Sequence, residues 1–130
     1  MRIAGTGSAL PKKAVTNDML SEFLDTSDEW IRARTGVVSR YVISDEKLDD
    51  LAIDAAKKAL DNAGMTASQL DFIICSNVVN EYVTPQLSCI IQGGIGATCP
   101  CIDINCACAG FIYAVEIAES FYKAGRVKNV

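Results

Sequence analysis

The chain has 130 residues, 50% of them hydrophobic, 22% charged and 7% aromatic, which excludes disorder, collagen and coiled coil and fits one soluble α/β or α+β domain. With 12 Lys and Arg against 16 Asp and Glu the net charge is -4, so there is no general attraction to nucleic acid or to an anionic membrane. The histidine count is zero, and any imidazole base or Cys/His zinc site would have to come from elsewhere. Six cysteines follow a start, Met1-Arg2-Ile3-Ala4-Gly5, that lacks the long apolar run of a secretory leader. Reduced thiols in the cytoplasm are therefore expected rather than a disulfide framework. No apolar stretch approaches the roughly 20 residues needed to span a bilayer.

Arg2 to Gly7 reads as a strand-like opening, followed by a turn over Ser8 to Pro11. Thr16-Asn17 offers a cap for a short helix over about Asp18 to Leu24. Ser27 offers another, with acidic residues in the first turn that follows; Trp30 and Arg34 share one face of this second helix. Val37 to Ile43 reads as an edge strand. Leu48, Leu51, Ala52, Ala55 and Ala59 mark a helix by their spacing, with Gly64 as its stop. Asp71 to Asn77 contains the continuous apolar run Phe72-Ile73-Ile74-Cys75, expected of a strand in a parallel sheet covered on both faces. After a loop over Asn80 to Pro85, Pro85 suits the first turn of a helix through about Gln92, ended by Gly93-Gly94. Cys99 to Asn105 is the next strand. Ala109 to Lys123 is a helix predicted to turn Phe111, Ile112, Val115, Ala118 and Tyr122 inward, with Glu119 and Lys123 as an exposed pair and Gly125 closing it. Val127 to Val130 reads as the beginning of a further strand, which implies a longer chain. Alternating strands and helices define a layered α/β sheet, mixed but mostly parallel and flanked by helices.

The chemistry concentrates at Asp103 to Phe111, where a strand turns abruptly into a helix with Cys108 at its start. Free N–H groups and the helix dipole favour a thiolate there, and the carboxyl end of a sheet is where open α/β folds place ligands. Gly110 would leave the approach to that thiol open. A small apolar cysteine packed in a tight turn fits the same pattern. Gly5-Thr6-Gly7 lacks the third glycine of a dinucleotide fingerprint. Cys99-Pro100-Cys101 and Cys106-Ala107-Cys108 are spaced by one residue rather than two to four, so no metal is expected.

Three stretches together resemble one family. Asp103 to Phe111 is similar to the active-site segment of the β-ketoacyl-acyl-carrier-protein synthases III, in the thiolase superfamily. Gly5 to Pro11 is similar to that family's opening. Asp25-Thr26-Ser27-Asp28-Glu29-Trp30-Ile31, with Arg34-Thr35-Gly36, is similar to its coenzyme A-binding signature. The resemblance covers the whole chain but about the first 40% of a family member of usual length, so it implies a thiolase-like layered fold present as an N-terminal part, residues 1–130. Cys106 departs from the family, where a small residue such as Ala is usual, and stands near enough in sequence to oxidise with Cys108.

The resemblance implies an acyltransferase that begins fatty acid synthesis. Cys108 would attack an acyl-CoA, typically acetyl-CoA, and the acyl-enzyme would undergo decarboxylative Claisen condensation with malonyl-acyl-carrier protein. The His and Asn that promote decarboxylation would lie beyond residue 130. Trp30, Arg34 and Thr26 would bind coenzyme A; without the motif, a packed Trp30 covered by the Arg34 stem is the plainer reading. Thr84 aligns with a bulky Phe that often limits chain length, in a loop that crosses the family's dimer interface to line the partner's acyl pocket. No cofactor beyond the acyl-CoA substrate is implied, nor a nucleic-acid or membrane partner. Two other readings share some of these residues: a thiolase-superfamily acyltransferase of secondary metabolism, and a non-catalytic module that binds coenzyme A or a full-length partner.

Overall fold

The computed structural model describes residues 2–130, and its contacts divide between two units: Leu10–Lys47, and the segment up to Ala9 with Leu48–Val130. In the smaller unit β1 (Lys13–Thr16) pairs antiparallel with β2 (Ser39–Val42), Lys13 opposite Val42 and Thr16 opposite Ser39. β2 is the strand predicted over Val37 to Ile43. β1 escapes sequence reading because Val15 is its single inward apolar residue, which gives no alternation to detect. Thr16 caps α1 (Asn17–Ser21), its Oγ1 accepting the Met19 N–H at 3.3 Å, and the helix is shorter than the predicted run to Leu24. Ser27 caps α2 (Asp28–Thr35) in the same way through the Trp30 N–H at 3.1 Å. Gly36 ends α2 with φ of 72°, a left-handed conformation that a glycine adopts at little cost.

One buried side chain ties these pieces together. Asn17 is 1% exposed. Its Nδ2 donates to Asp28 Oδ1 and to the Val37 carbonyl, both at 2.8 Å, while its Oδ1 accepts from the Arg40 guanidinium at 2.6 Å. A buried carboxamide with its donors and acceptor all satisfied fixes α1, α2 and β2 in one register. The Arg32 guanidinium and this amide hold the Asp28 carboxyl below its ordinary value.

Glu46 anchors the other end of the unit. It receives the Lys12 N–H at 2.7 Å and the Ser44 N–H at 3.1 Å, and these amides, with those of Glu46 itself and Asp45, bring its carboxyl from 4.5 down to about 2. A depressed carboxyl contributes stability above its unfolded value and loses it as the pH falls through the folded one. Carboxyl titration followed by NMR should therefore give a midpoint for Glu46 near 2, with the Lys12 and Ser44 amide resonances moving in the same acid window. A midpoint near 4.5 would contradict these contacts.

In the larger unit α3 (Leu48–Ala63) has the predicted span and stops at Gly64, φ of 65°. Residues 2–11 form neither helix nor strand, contrary to the strand predicted for Arg2 to Gly7. The arm satisfies polar backbone groups from α3 instead of from a neighbouring strand: Asn62 Oδ1 accepts the Thr6 N–H at 2.9 Å, and Lys58 Nζ donates to the Ser8 carbonyl at 3.2 Å.

β3 (Ile73–Ser76) and β4 (Cys101–Ile104) are parallel, Cys75 lying opposite Asp103, and α4 (Leu87–Ile95) connects them. The layered α/β class and the parallel pairing hold, although the ladders form two two-stranded sheets rather than one wide sheet. α4 begins two residues after Pro85 and runs through Gly93-Gly94 to stop at Gly96, φ of 74°. The predicted end was wrong because Gly94 serves close packing: a Cβ there would collide with Ile53 of α3.

α5 (Gly110–Lys123) follows a single 3-10 turn at Ala107–Ala109. Glu119 and Lys123 pair at 3.4 Å as expected, and Gly125 closes the helix with φ of 69°. Its inward face is displaced from the predicted one. Phe111 is 66% and Ile112 68% exposed, and Val115 and Tyr122 are also exposed; Ala118 is buried, and Phe121 meets Phe72 edge-on at 5.3 Å. Apolar residues surround most of this helix, so spacing alone does not select a face. Phe111, Val115 and Tyr122 line an open apolar groove of about 540 Å³ with Ile3, Ala59 and Leu60.

Val127 to Val130 is not a strand. The Asp71 carboxylate accepts the Lys128 and Asn129 N–H groups at 2.7 and 2.9 Å, and those two amides hold its carboxyl below the ordinary value. No helix among the described residues is long and apolar enough to cross a membrane.

Candidate active site

β4 delivers Asn105 and Cys106 to a turn in which Ala107 takes φ of 45°. A left-handed alanine costs on the order of 1–2 kcal/mol, and strain of this kind is kept where the following residue must point in a set direction. Asn105 Oδ1 accepts the Ala107 N–H at 3.4 Å. The turn closes through Ala109 N–H to Cys106 O at 3.1 Å and Gly110 N–H to Ala107 O; the Cys108 N–H belongs to neither bond. Cys108 is exposed in the middle of the 3-10 turn, two residues before α5.

Gly110 also has a packing role. It is buried, and a Cβ on it would collide with the Ser76 hydroxyl at the end of β3. Its missing side chain lets α5 start directly against the sheet, which fixes the turn.

The other cysteines divide by burial. Desolvation pushes the thiols of Cys75, Cys99 and Cys101 up, which leaves them little thiolate at neutral pH. Cys106 and Cys108 are exposed, and no disulfide joins any of the six. Cys89 and Cys101 lie 3.5 Å apart, sulfur to sulfur.

On α2, Trp30 is 54% exposed and the Arg34 guanidinium carbon sits 4.7 Å from the centre of its ring. Helical spacing of four places the cation over the aromatic face. The indole is thus not packed as core, and one face carries a cation able to meet a phosphate. Thr26, two residues before α2, has a hydroxyl that is buried and without a hydrogen-bond partner.

Thr84 stands exposed in the loop between β3 and α4. The same loop borders an open cavity of about 390 Å³ of mixed lining, with Asn77, Asn80, Val83, Gln86, Asp103 and Ile104 among its residues; Thr84 and Cys108 do not line it. The group that sequence reading missed is Asp103. The signal was present, since a carboxylate inside the run Cys101-Ile102-Asp103-Ile104 must have partners.

A strand, a strained turn and a helix that together present an exposed cysteine at the carboxyl end of a parallel pair belong to the N-terminal part of a thiolase-like fold. The family model for the thiolase N-terminal domain matches residues 31–130, and the chain belongs to that family. It is similar to the β-ketoacyl-acyl-carrier-protein synthase III of Clostridium perfringens, 47% identical over 129 residues that make up 98% of this chain and 40% of the relative. Among solved structures it superposes on 3-oxoacyl-acyl-carrier-protein synthase III from Aquifex aeolicus with a TM-score of 0.94 at 41% identity, covering 98% of this chain and 42% of that one. The priming β-ketosynthase of the R1128 polyketide pathway gives 0.91 at 33% identity, covering 98% and 39%. The chain thus spans about 40% of the length of the curated relatives it matches.

Proposed function

We propose that these residues form the N-terminal, acyl-accepting part of a β-ketoacyl-acyl-carrier-protein synthase III, which takes an acyl group from an acyl-CoA and condenses it with malonyl-acyl-carrier protein to begin fatty acid synthesis. The observation that carries this reading is the exposed Cys108 on its strained strand-to-helix turn. The thiolate attacks the thioester carbonyl, coenzyme A leaves as its thiol, and the acyl group remains on Cys108. The Cys108 N–H, unused by the turn, is a hydrogen-bond donor for the oxygen of the tetrahedral state. Condensation needs groups that these residues lack, since they include no histidine; the family's His and Asn, beyond residue 130, would supply them.

Trp30 stacks on the adenine of coenzyme A, Arg34 meets a phosphate and Thr26 supplies a polar contact beside the base. No cofactor beyond this substrate is used, and the working form is a cytoplasmic homodimer. Thr84 belongs to the acyl-selecting loop. Similarity to the R1128 priming enzyme supports a second reading, priming of a polyketide, which the preferred acyl group would separate from the first.

The test is transfer of label from acetyl-CoA to the full-length protein and onward to malonyl-acyl-carrier protein, with carbon dioxide released. Acylation of Cys108 followed by condensation is the expected result; absence of any acyl adduct overturns the reading. Trp30→Ala should raise KM for acetyl-CoA on the order of tenfold with a much smaller change in kcat, the size of one lost base–aromatic stack.

A further inference from the structure

α4 begins without a cap of its own: Gln86 precedes it and makes no side-chain bond to its first turn. Its first N–H groups find their acceptor on another element. Asp103 Oδ1 accepts the Ser88 N–H at 2.8 Å and Oδ2 accepts the Leu87 N–H at 3.1 Å. Leu87 and Ser88 are 5% and 0% exposed, so no water can replace that acceptor. A carboxylate facing the positive end of the helix also fits its charge.

The same Oδ2 accepts from Asn77 Nδ2 at 2.7 Å and from Asn80 Nδ2 at 3.2 Å, and the Asp103 N–H donates to Gln86 Oε1 at 3.3 Å. Asn77 follows β3 and Gln86 precedes α4, so a single residue holds the two ends of the loop between them. Within these residues the loop's side-chain hydrogen bonds besides the one from Asn80 to Asp103 stay inside it, Tyr82 to Glu81. Burial raises the Asp103 carboxyl, and the donors of Ser88, Asn77 and Asn80 outweigh it and hold the group ionised and below its ordinary value. Five residues further along the chain is Cys108.

We infer that Asp103 is a positioning residue for acyl selection: it clamps the loop carrying Thr84 to the strand that delivers Cys108, so that the choice among acyl groups depends on a carboxylate that touches no substrate. This rests on the acyltransferase reading above. Asp103→Asn keeps the shape and replaces one acceptor oxygen with a donor that faces the Asn77, Asn80 and Leu87 donors. The clamp then loses its charge-assisted bonds at both ends of the loop.

Two readouts in the full-length protein test it. The ratio of Cys108 acylation rates for acetyl-CoA and isobutyryl-CoA should change about fivefold or more in Asp103→Asn, and amide exchange over residues 78–86 should quicken about tenfold. A role in stability alone would lower both rates together and leave their ratio unchanged. Asn80→Ala, which removes one bond from the loop side of the clamp, should shift both readouts in the same direction and carries the test if Asp103→Asn does not fold. An unchanged ratio with native exchange in the folded variant overturns the inference. If the wild-type protein is acylated by neither thioester, the acyltransferase reading fails with the selectivity claim, and the exchange readout still decides whether the clamp exists.

Discussion

Cys108→Ala should accept no acyl group from acetyl-CoA and should lower condensation on the order of 10⁴-fold or more, the scale seen when a covalent nucleophile is removed. The size follows from the chemistry: a methyl group cannot form the thioester, and nothing in the turn replaces it, because the nearest exposed thiol, Cys106, lies on the other side of the left-handed Ala107. Cys106→Ala should retain acylation within about twofold, as exposed substitutions away from special contacts shift free energies by only ~0.5 kcal/mol. Cys75, Cys99 and Cys101 should stay unlabelled in both variants, since burial pushes their thiols up. Peptide mapping after acetyl-CoA treatment reads all of this in one experiment. An adduct on Cys106 in the wild-type protein would mean that the turn presents the wrong sulfur and that the strained Ala107 serves another purpose.

What sequence reading found and what it missed have distinct physical origins. Caps and stops were legible because one residue decides each of them: Thr16 and Ser27 accept the amide three residues on, and Gly64 and Gly125 take a positive φ. The strand-to-helix turn that carries Cys108 was legible because its pattern is local, the nine residues Asp103 to Phe111. The face of α5 was not, because Phe111, Ile112, Tyr113 and Val115 surround the helix with apolar groups and only tertiary contact chooses among them. Gly93-Gly94 shows the converse error. Two adjacent glycines read as a stop, yet Gly94 is there so that α4 can approach Ile53, and that reason sits on a different helix. The two polar hubs, Asn17 and Asp103, lay outside the reach of spacing arguments for the same reason: their partners are 11 to 26 residues away along the chain. A polar residue in an apolar setting announces that partners exist without saying which.

The N-terminal arm makes that distinction measurable. Gly7→Ala should destabilise the protein by about 3 kcal/mol, the upper range for an overpacked site, whereas Gly36→Ala should cost about 1 kcal/mol for its left-handed backbone alone. A Cβ on Gly7 would collide with the backbone of α3 at Ala55 and Ala59 and would lie 2.9 Å from the Lys58 carbonyl carbon. Backbone inside a helix cannot swing aside as a side chain does. Nor can the arm lift away without loss, because Thr6 is held by Asn62 and Ser8 by Lys58, one on each side of Gly7. At Gly36 a Cβ would meet nothing within 4 Å, so only φ of 72° opposes it. Denaturant unfolding of the two variants in the full-length protein separates the effects, with Gly7→Ala expected to have the larger fall in midpoint at unchanged slope. Equal midpoints would mean that the arm does not rest on α3 and that Gly5-Thr6-Gly7 serves the chain through its flexibility instead.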